Sequence, residues 1–142
     1  MTIEQKKEWL YRYQNSQRRQ EIILFQIEDA RSRATSVQST PGGVRVAPTG
    51  LRSDRVAVAV QRLDELQRAY DAEVAQGCQI YAEIQTAIEA LPDIMQTMAV
   101  YYRYLQGMKI DLVCVKLERS ASTITKLLAA ALDALEGPEI AQ

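Results

Sequence analysis

The chain has no histidine among its 142 residues. That removes Ser-His-Asp and Cys-His catalysis and every metal site built on imidazole. Cysteine is scarce too. Cys78 and Cys114 lie too far apart for a zinc ribbon or a Cys-x-x-Cys redox pair. They argue against a disulfide framework and read as reduced and buried. No apolar run approaches the roughly 20 residues that cross a bilayer. Thr2 to Glu8 is polar and lacks a signal-peptide core, so the expectation is a cytoplasmic protein with no membrane partner. An excess of positive charge is also missing: 17 basic residues face 18 acidic ones, whereas a sequence-blind DNA binder is basic. Residues 1–34 carry +2, 35–91 carry −2 and 92–142 carry −1, so no segment is a basic arm. No Gly-rich phosphate loop follows a strand, and Pro41-Gly42-Gly43 is only a turn. Acidic residues alternate with basic ones, as in Arg62-Asp64-Glu65-Arg68, which is ordinary helix-surface pairing. No cofactor, metal or catalytic residue is expected, and the chain reads as a non-enzyme.

Glycine and proline are few, six and four, and they cluster. Pro41, Gly42, Gly43, Pro48 and Gly50 fall in the stretch from Thr35 to Ser53, which reads as a loop. The rest is free to be helical. Apolar residues at 47% and charged residues at 25% are near globular averages, so a core can form. Thr2 and Gln5 have capping-box spacing, and helix is predicted over Thr2–Ala34. Its apolar row is Ile3, Leu10, Leu24 and Arg31, with Tyr13 and Ile27 adjoining and Gln17 and Gln20 interrupting. A second helix is predicted over Ser53–Ala90, with Ser53 as its N-cap. Val56, Leu63, Tyr70, Gly77, Ile84 and Leu91 recur every seven residues, and Val60, Gln67, Val74, Tyr81 and Ile88 read as the companion row. Two such helices fold back as an antiparallel hairpin. Leftover apolar residues such as Val58, Leu66 and Ile80 point to self-association or to docking of the C-terminal part, and a homo-oligomer through the long helices is expected.

Pro92 stops the second helix and starts a third, Asp93–Gln106, which Gly107 ends. Short helices follow at Asp111–Leu117 and Ser122–Leu135, with Ser120 or Ser122 as the cap. These three match a helix-turn-helix by spacing. Val113 and Leu117 point inward, Cys114 sits at the crossing, and Ile124 and Leu127 close the corner. The turn falls on Glu118 and Arg119 where glycine is usual, at some backbone strain. The fold class is therefore all-α: a long antiparallel helical hairpin, residues 1–91 with a loop at 35–53, then a three-helix tail, 92–136, and a terminal 137–142. The residues facing a DNA groove are Ala121, Ser122, Thr123, Thr125, Lys126, Ala129 and Ala130. Arg103, Lys109, Lys116 and Arg119 suit backbone phosphate. Only Lys126 is charged on the last helix. The alternative is therefore a structural or adaptor oligomer whose tail contacts protein through Ala129–Ala131.

The Arg103-Tyr104-Leu105-x-Gly107 entry to the tail looks like region 4 of bacterial sigma factors. The whole chain resembles the ArpU-like family of small phage and prophage regulators. The resemblance runs in order through Lys6-Lys7-Glu8-Trp9-Leu10 with Tyr13, then Arg31-Ser32-Arg33-Ala34-Thr35. It continues through Ser53-Asp54-Arg55-Val56, Ile88 with Leu91-Pro92-Asp93, Tyr102 to Gly107 and the helix-turn-helix. It implies a coiled-coil body with a tail that binds double-stranded DNA, RNA polymerase as a further partner, and a place in the bacterial host cell in phage transcription control.

Overall fold

The computed structural model describes residues 1–38 and 49–136, with side-chain surroundings for 1–35 and 53–136. The described chain is all-helical. Helix α1 is Ile3–Gln38, α2 is Thr49–Glu89, α3 is Ile94–Val100, α4 is Ile110–Leu117 and α5 is Ala121–Ala134. A π-helical turn, Tyr101–Leu105, follows α3 directly. Among the described residues there is no strand.

Several predicted boundaries move. Thr35 to Gln38 and Thr49 to Ser53 are helical, so the loop predicted for 35–53 narrows, and its remainder, 39–48, lies outside the described residues. Ser53 is an interior residue of α2 and not its N-cap. Helical hydrogen bonding propagates at little cost once a helix exists, so the signal of a good cap is overridden. The terminal 137–142 also lies outside the described residues. Pro92 does not open α3. Asp93 is the cap, its side chain accepting from the Met95 amide at 3.0 Å, and proline stands just before it. The capping box at the start is present: the Gln5 amide donates to Thr2 Oγ1 and the Thr2 amide to Gln5 Oε1.

Contacts divide the chain into two compact units: residues 1–17 with 76 onward, and Arg18–Ala75. This differs from a division at 91/92, because the segments next to the tail share its core. In the first unit Trp9, Leu10, Ile84, Ile88, Val100, Val113, Ile124 and Leu135 belong to one buried cluster. The α1 and α2 segments run antiparallel there, as shown by the Arg12–Glu83 ion pair at 2.9 Å and by Tyr13 set edge-on to Tyr81. In the second unit Arg19 pairs with Glu73, also at 2.9 Å. Its described buried apolar side chains are Ile27 and Leu66.

The row Val56, Leu63, Tyr70, Gly77, Ile84 and Leu91 does face inward, buried or half-buried throughout. A companion row runs through Ala59, Leu66, Glu73, Ile80 and Ala87; of the row predicted, Ile88 is buried and Val74 and Tyr81 are half-buried. Val60 and Gln67 are exposed. A coiled-coil seam steps by three and then four residues, so the step from Val56 and Leu63 leads to Ala59 and Leu66 rather than to Val60 and Gln67. Leu66 and Ile80 therefore belong to the seam rather than to an uncovered surface. On α1 the inward residues are Trp9, Leu10, Tyr13, Ser16, Gln20, Ile23, Ile27, Ala30 and Ala34, so Leu10, Tyr13 and Ile27 lie inward as expected, while Ile3, Leu24 and Arg31 are exposed. Polar Ser16 and Gln20 hid the part of the seam between them from a reading by hydrophobicity. Cys78 is exposed and Cys114 half-buried; both are free thiols, so the expectation that both are buried fails.

Candidate nucleic-acid interface

The tail is built from α3, α4 and α5, which pack against one another. Its geometry starts at the π-helical turn. The Gln106 amide reaches Tyr101 O and the Met108 amide reaches Tyr102 O, each at 3.0 Å. Gly107 sits at φ +68°, where a side chain is strained. Widening a helix frees carbonyls, and Gln14 Nε2 satisfies two of them, donating to Arg103 O and Tyr104 O at 3.1 and 3.0 Å. Tyr104 is buried against Tyr11, with ring centroids 5.1 Å apart. Burial raises its phenol above the ordinary value of 10.0, and Tyr11 adds to the rise. This turn replaces the last part of the single helix predicted to reach Gln106.

The link from α4 to α5 is three residues, Glu118, Arg119 and Ser120. Glu118 is left-handed, at φ 53° and ψ 47°. Its amide donates to Val115 O and that of Arg119 to Cys114 O, closing α4 in a Schellman-type end. Ser120 then caps α5, its hydroxyl accepting from the Thr123 amide at 3.2 Å. Val113, Leu117, Ile124 and Leu128 are buried inside the corner. Leu128 takes the place expected of Leu127, which is only half-buried, because the inward stripe steps from Ile124 by four residues. Cys114 packs at the edge of the cluster.

Of the candidate DNA contacts, Ser122, Thr123, Thr125, Lys126, Ala121, Ala129 and Ala130 are all exposed on α5. Thr125 Oγ1 donates to Ala121 O, and the Thr123 hydroxyl lies 3.0 Å from that of Ser120. Among the described residues Lys109, Lys116 and Lys126 are exposed and form no ion pair. The two arginines are placed differently. Arg119 curls back, donating to Glu118 O at 3.0 Å and Leu117 O at 3.4 Å. Arg103 donates to Met108 O at 2.9 Å and so ties down the Gly107 turn.

Arg103 and Thr125 also share a groove of about 440 Å³ with Lys7, Tyr11, Ala129 and Asp133. Lys7 was not among the candidates. Its signal was the Lys6-Lys7 pair on the first helical turn. Lys6 reaches the end of α5, donating to Leu132 O at 2.8 Å. Among the described residues no cluster of acidic or cysteine side chains is arranged to hold a metal ion, and no helix is long and apolar enough to cross a membrane. No protein-family model matches the chain, and no curated protein or solved structure is significantly similar to it.

Proposed function

We propose that the chain is a non-enzymatic, phage-type transcriptional regulator of the bacterial cytoplasm that binds double-stranded DNA through α4 and α5, as a homo-oligomer. The observation that carries this reading is the α4–α5 corner. A three-residue link, a left-handed turn and a serine cap fix α5 so that Ser122, Thr125 and Lys126 face outward from its N-terminal half. A helix held this way matches the recognition helix of a helix-turn-helix. Lys116 and Lys126, exposed and without acidic partners among the described residues, supply phosphate contacts, and the α5 N-terminus adds its dipole. The ordered resemblance to ArpU-like regulators supports the same assignment. It extends the assignment to RNA polymerase as a protein partner.

The test is a titration of the chain against random-sequence duplex DNA at two salt concentrations. Binding is expected to weaken steeply with salt. Lys116→Ala and Lys126→Ala are each expected to shallow the logarithmic salt slope by about one unit. Arg119→Ala is expected to weaken binding through the turn as well, since its guanidinium holds the turn carbonyls. If the Lys116→Ala/Lys126→Ala chain binds as the parent does at both salt concentrations, α5 does not read DNA. A second reading then takes over: an adaptor whose tail contacts protein. One observation favours it. Leu112 and Val115 on α4 are 55% and 74% exposed, and the far half of α5 turns Ala129, Ala130, Asp133 and Ala134 outward, while Ala131, expected on that face, is buried.

A further inference from the structure

Most of α1 is apolar on one stripe, but between Ile22 and Ile27 every residue except Gln26 is apolar. Ile23 and Ile27 turn to the hairpin seam, while Ile22, Leu24 and Phe25 point elsewhere and are 59%, 41% and 71% exposed. Phe25 is the only phenylalanine of the chain. A helix hydrophobic on every side belongs in a buried setting, and α2 covers one side only. The outward residues are ordered. Arg18, Ile22, Phe25, Asp29 and Ser32 follow steps of four and three, which is a second coiled-coil seam on the side of α1 away from the first. All lie in the Arg18–Ala75 unit.

This seam complements itself in one orientation. Two copies laid antiparallel, with Ile22 of each opposite Phe25 of the other, place Arg18 opposite Asp29 on both sides of the two-fold axis. Laid parallel, the same residues would set Arg18 on Arg18 and Asp29 on Asp29, and like charges in register are repulsive. Arg18 forms no ion pair among the described residues. Asp29 holds Arg33 at 3.2 Å through one oxygen, Oδ2, on an exposed surface, which leaves Oδ1 outside that pair. We propose that a second copy of this chain docks on the outer face of α1, antiparallel, through Ile22 and Phe25 with Arg18–Asp29 pairs at either end. The contact is isologous, as a two-fold dimer requires. It deepens the homo-oligomer part of the proposed function and does not depend on DNA binding.

The experiment is sedimentation equilibrium of the full chain and four variants, with circular dichroism to confirm equal helix content. The parent is expected to approach twice its 16.0 kDa mass at micromolar concentration. Phe25→Asp is expected to stay monomeric and helical, since the site is exposed in the single chain. Arg18→Asp and Asp29→Arg are each expected to weaken the dimer by about tenfold or more. The Arg18→Asp/Asp29→Arg double variant is expected to recover most of that loss. Recovery is diagnostic, because positions 18 and 29 are about 16 Å apart along one helix and cannot meet within a chain. A Phe25→Asp variant that dimerises like the parent overturns this surface and leaves the oligomer standing. A double variant that does not recover overturns the antiparallel pairing. A parent that is monomeric throughout overturns both this surface and the oligomer, while the DNA titration still decides the rest of the function.

Discussion

At Glu118 the chain places a residue with a Cβ in a left-handed conformation, φ 53°. That costs roughly 1–2 kcal/mol for a residue other than glycine. Glycine would recover it, less about 0.5–1 kcal/mol of extra chain entropy. Glu118→Gly is therefore expected to stabilise the tail by about 0.5–1 kcal/mol, read as a higher urea midpoint with unchanged slope. Glu118→Val should do the opposite, because β-branching makes the same conformation worse. Tyr104 sets a second residue-level expectation. Its phenol is raised by burial, then by Tyr11, so the neutral form is favoured in the folded state. A raised folded value means the stabilisation is complete below the unfolded value near 10 and is lost as pH rises through the folded one. Thermal melts from pH 9 upward should show stability falling, and falling less in Tyr104→Phe.

Helix ends decide how α5 is held. Ser120 caps its start, and Lys6 of α1 caps its last carbonyls. Ser120→Ala is expected to cost about 1 kcal/mol. Lys6→Met should cost a comparable amount, since a charged donor to backbone oxygen is lost. The two should differ in place. Hydrogen exchange in Ser120→Ala should rise in the first turn of α5, and in Lys6→Met in its last turn. Equal effects at both ends would mean α5 frays as one body. Ile124 has no exposed surface. Ile124→Asp should therefore unfold the tail outright, by burying an unpaired charge, and near-ultraviolet dichroism of the tail's tyrosines would report it.

Across the molecule, burial is uneven. The unit holding residues 1–17 and 76 onward carries nearly all the buried apolar side chains. The Arg18–Ala75 unit has only Ile27 and Leu66 buried among its described residues, and seam positions there are held by Gln20, Ala30, Ala59 and Glu73. Local opening follows the density of buried contacts. Amides of residues 20–35 and 53–72 are expected to exchange faster than those around Ile84, Val100 and Ile124 in dilute solution. Protection of 20–35 should then rise with protein concentration, if the outer face of α1 is covered by a second copy. Exchange rates independent of concentration would separate the two statements.

The sequence by itself determined that the chain is helical, where α1 and α2 lie to within a few residues, and that a short corner separates α4 from α5. Those features rest on local physics. Proline and glycine punctuate, seven-residue recurrence marks a buried row, and a serine before a helix offers a cap. The row from Val56 to Leu91 was legible because each member lies in or beside apolar sequence. Its companion was not, because Ala59, Glu73 and Ala87 carry little hydrophobic signal and only the partner helix makes them inward. The α1 seam was legible at Leu10, Tyr13 and Ile27 but not between them, for the same reason: Ser16 is completely buried although nothing local demands it. The π-helical turn was also invisible. It is held by Gln14, some ninety positions away in sequence, and a long-range hydrogen bond leaves no periodic trace. At the candidate site the exposure of Ser122, Thr125 and Lys126 followed from helical spacing. The engagement of Arg103 with Met108 and of Arg119 with its own turn did not, since a side chain's choice between solvent and a nearby carbonyl is made only once the carbonyl is in place.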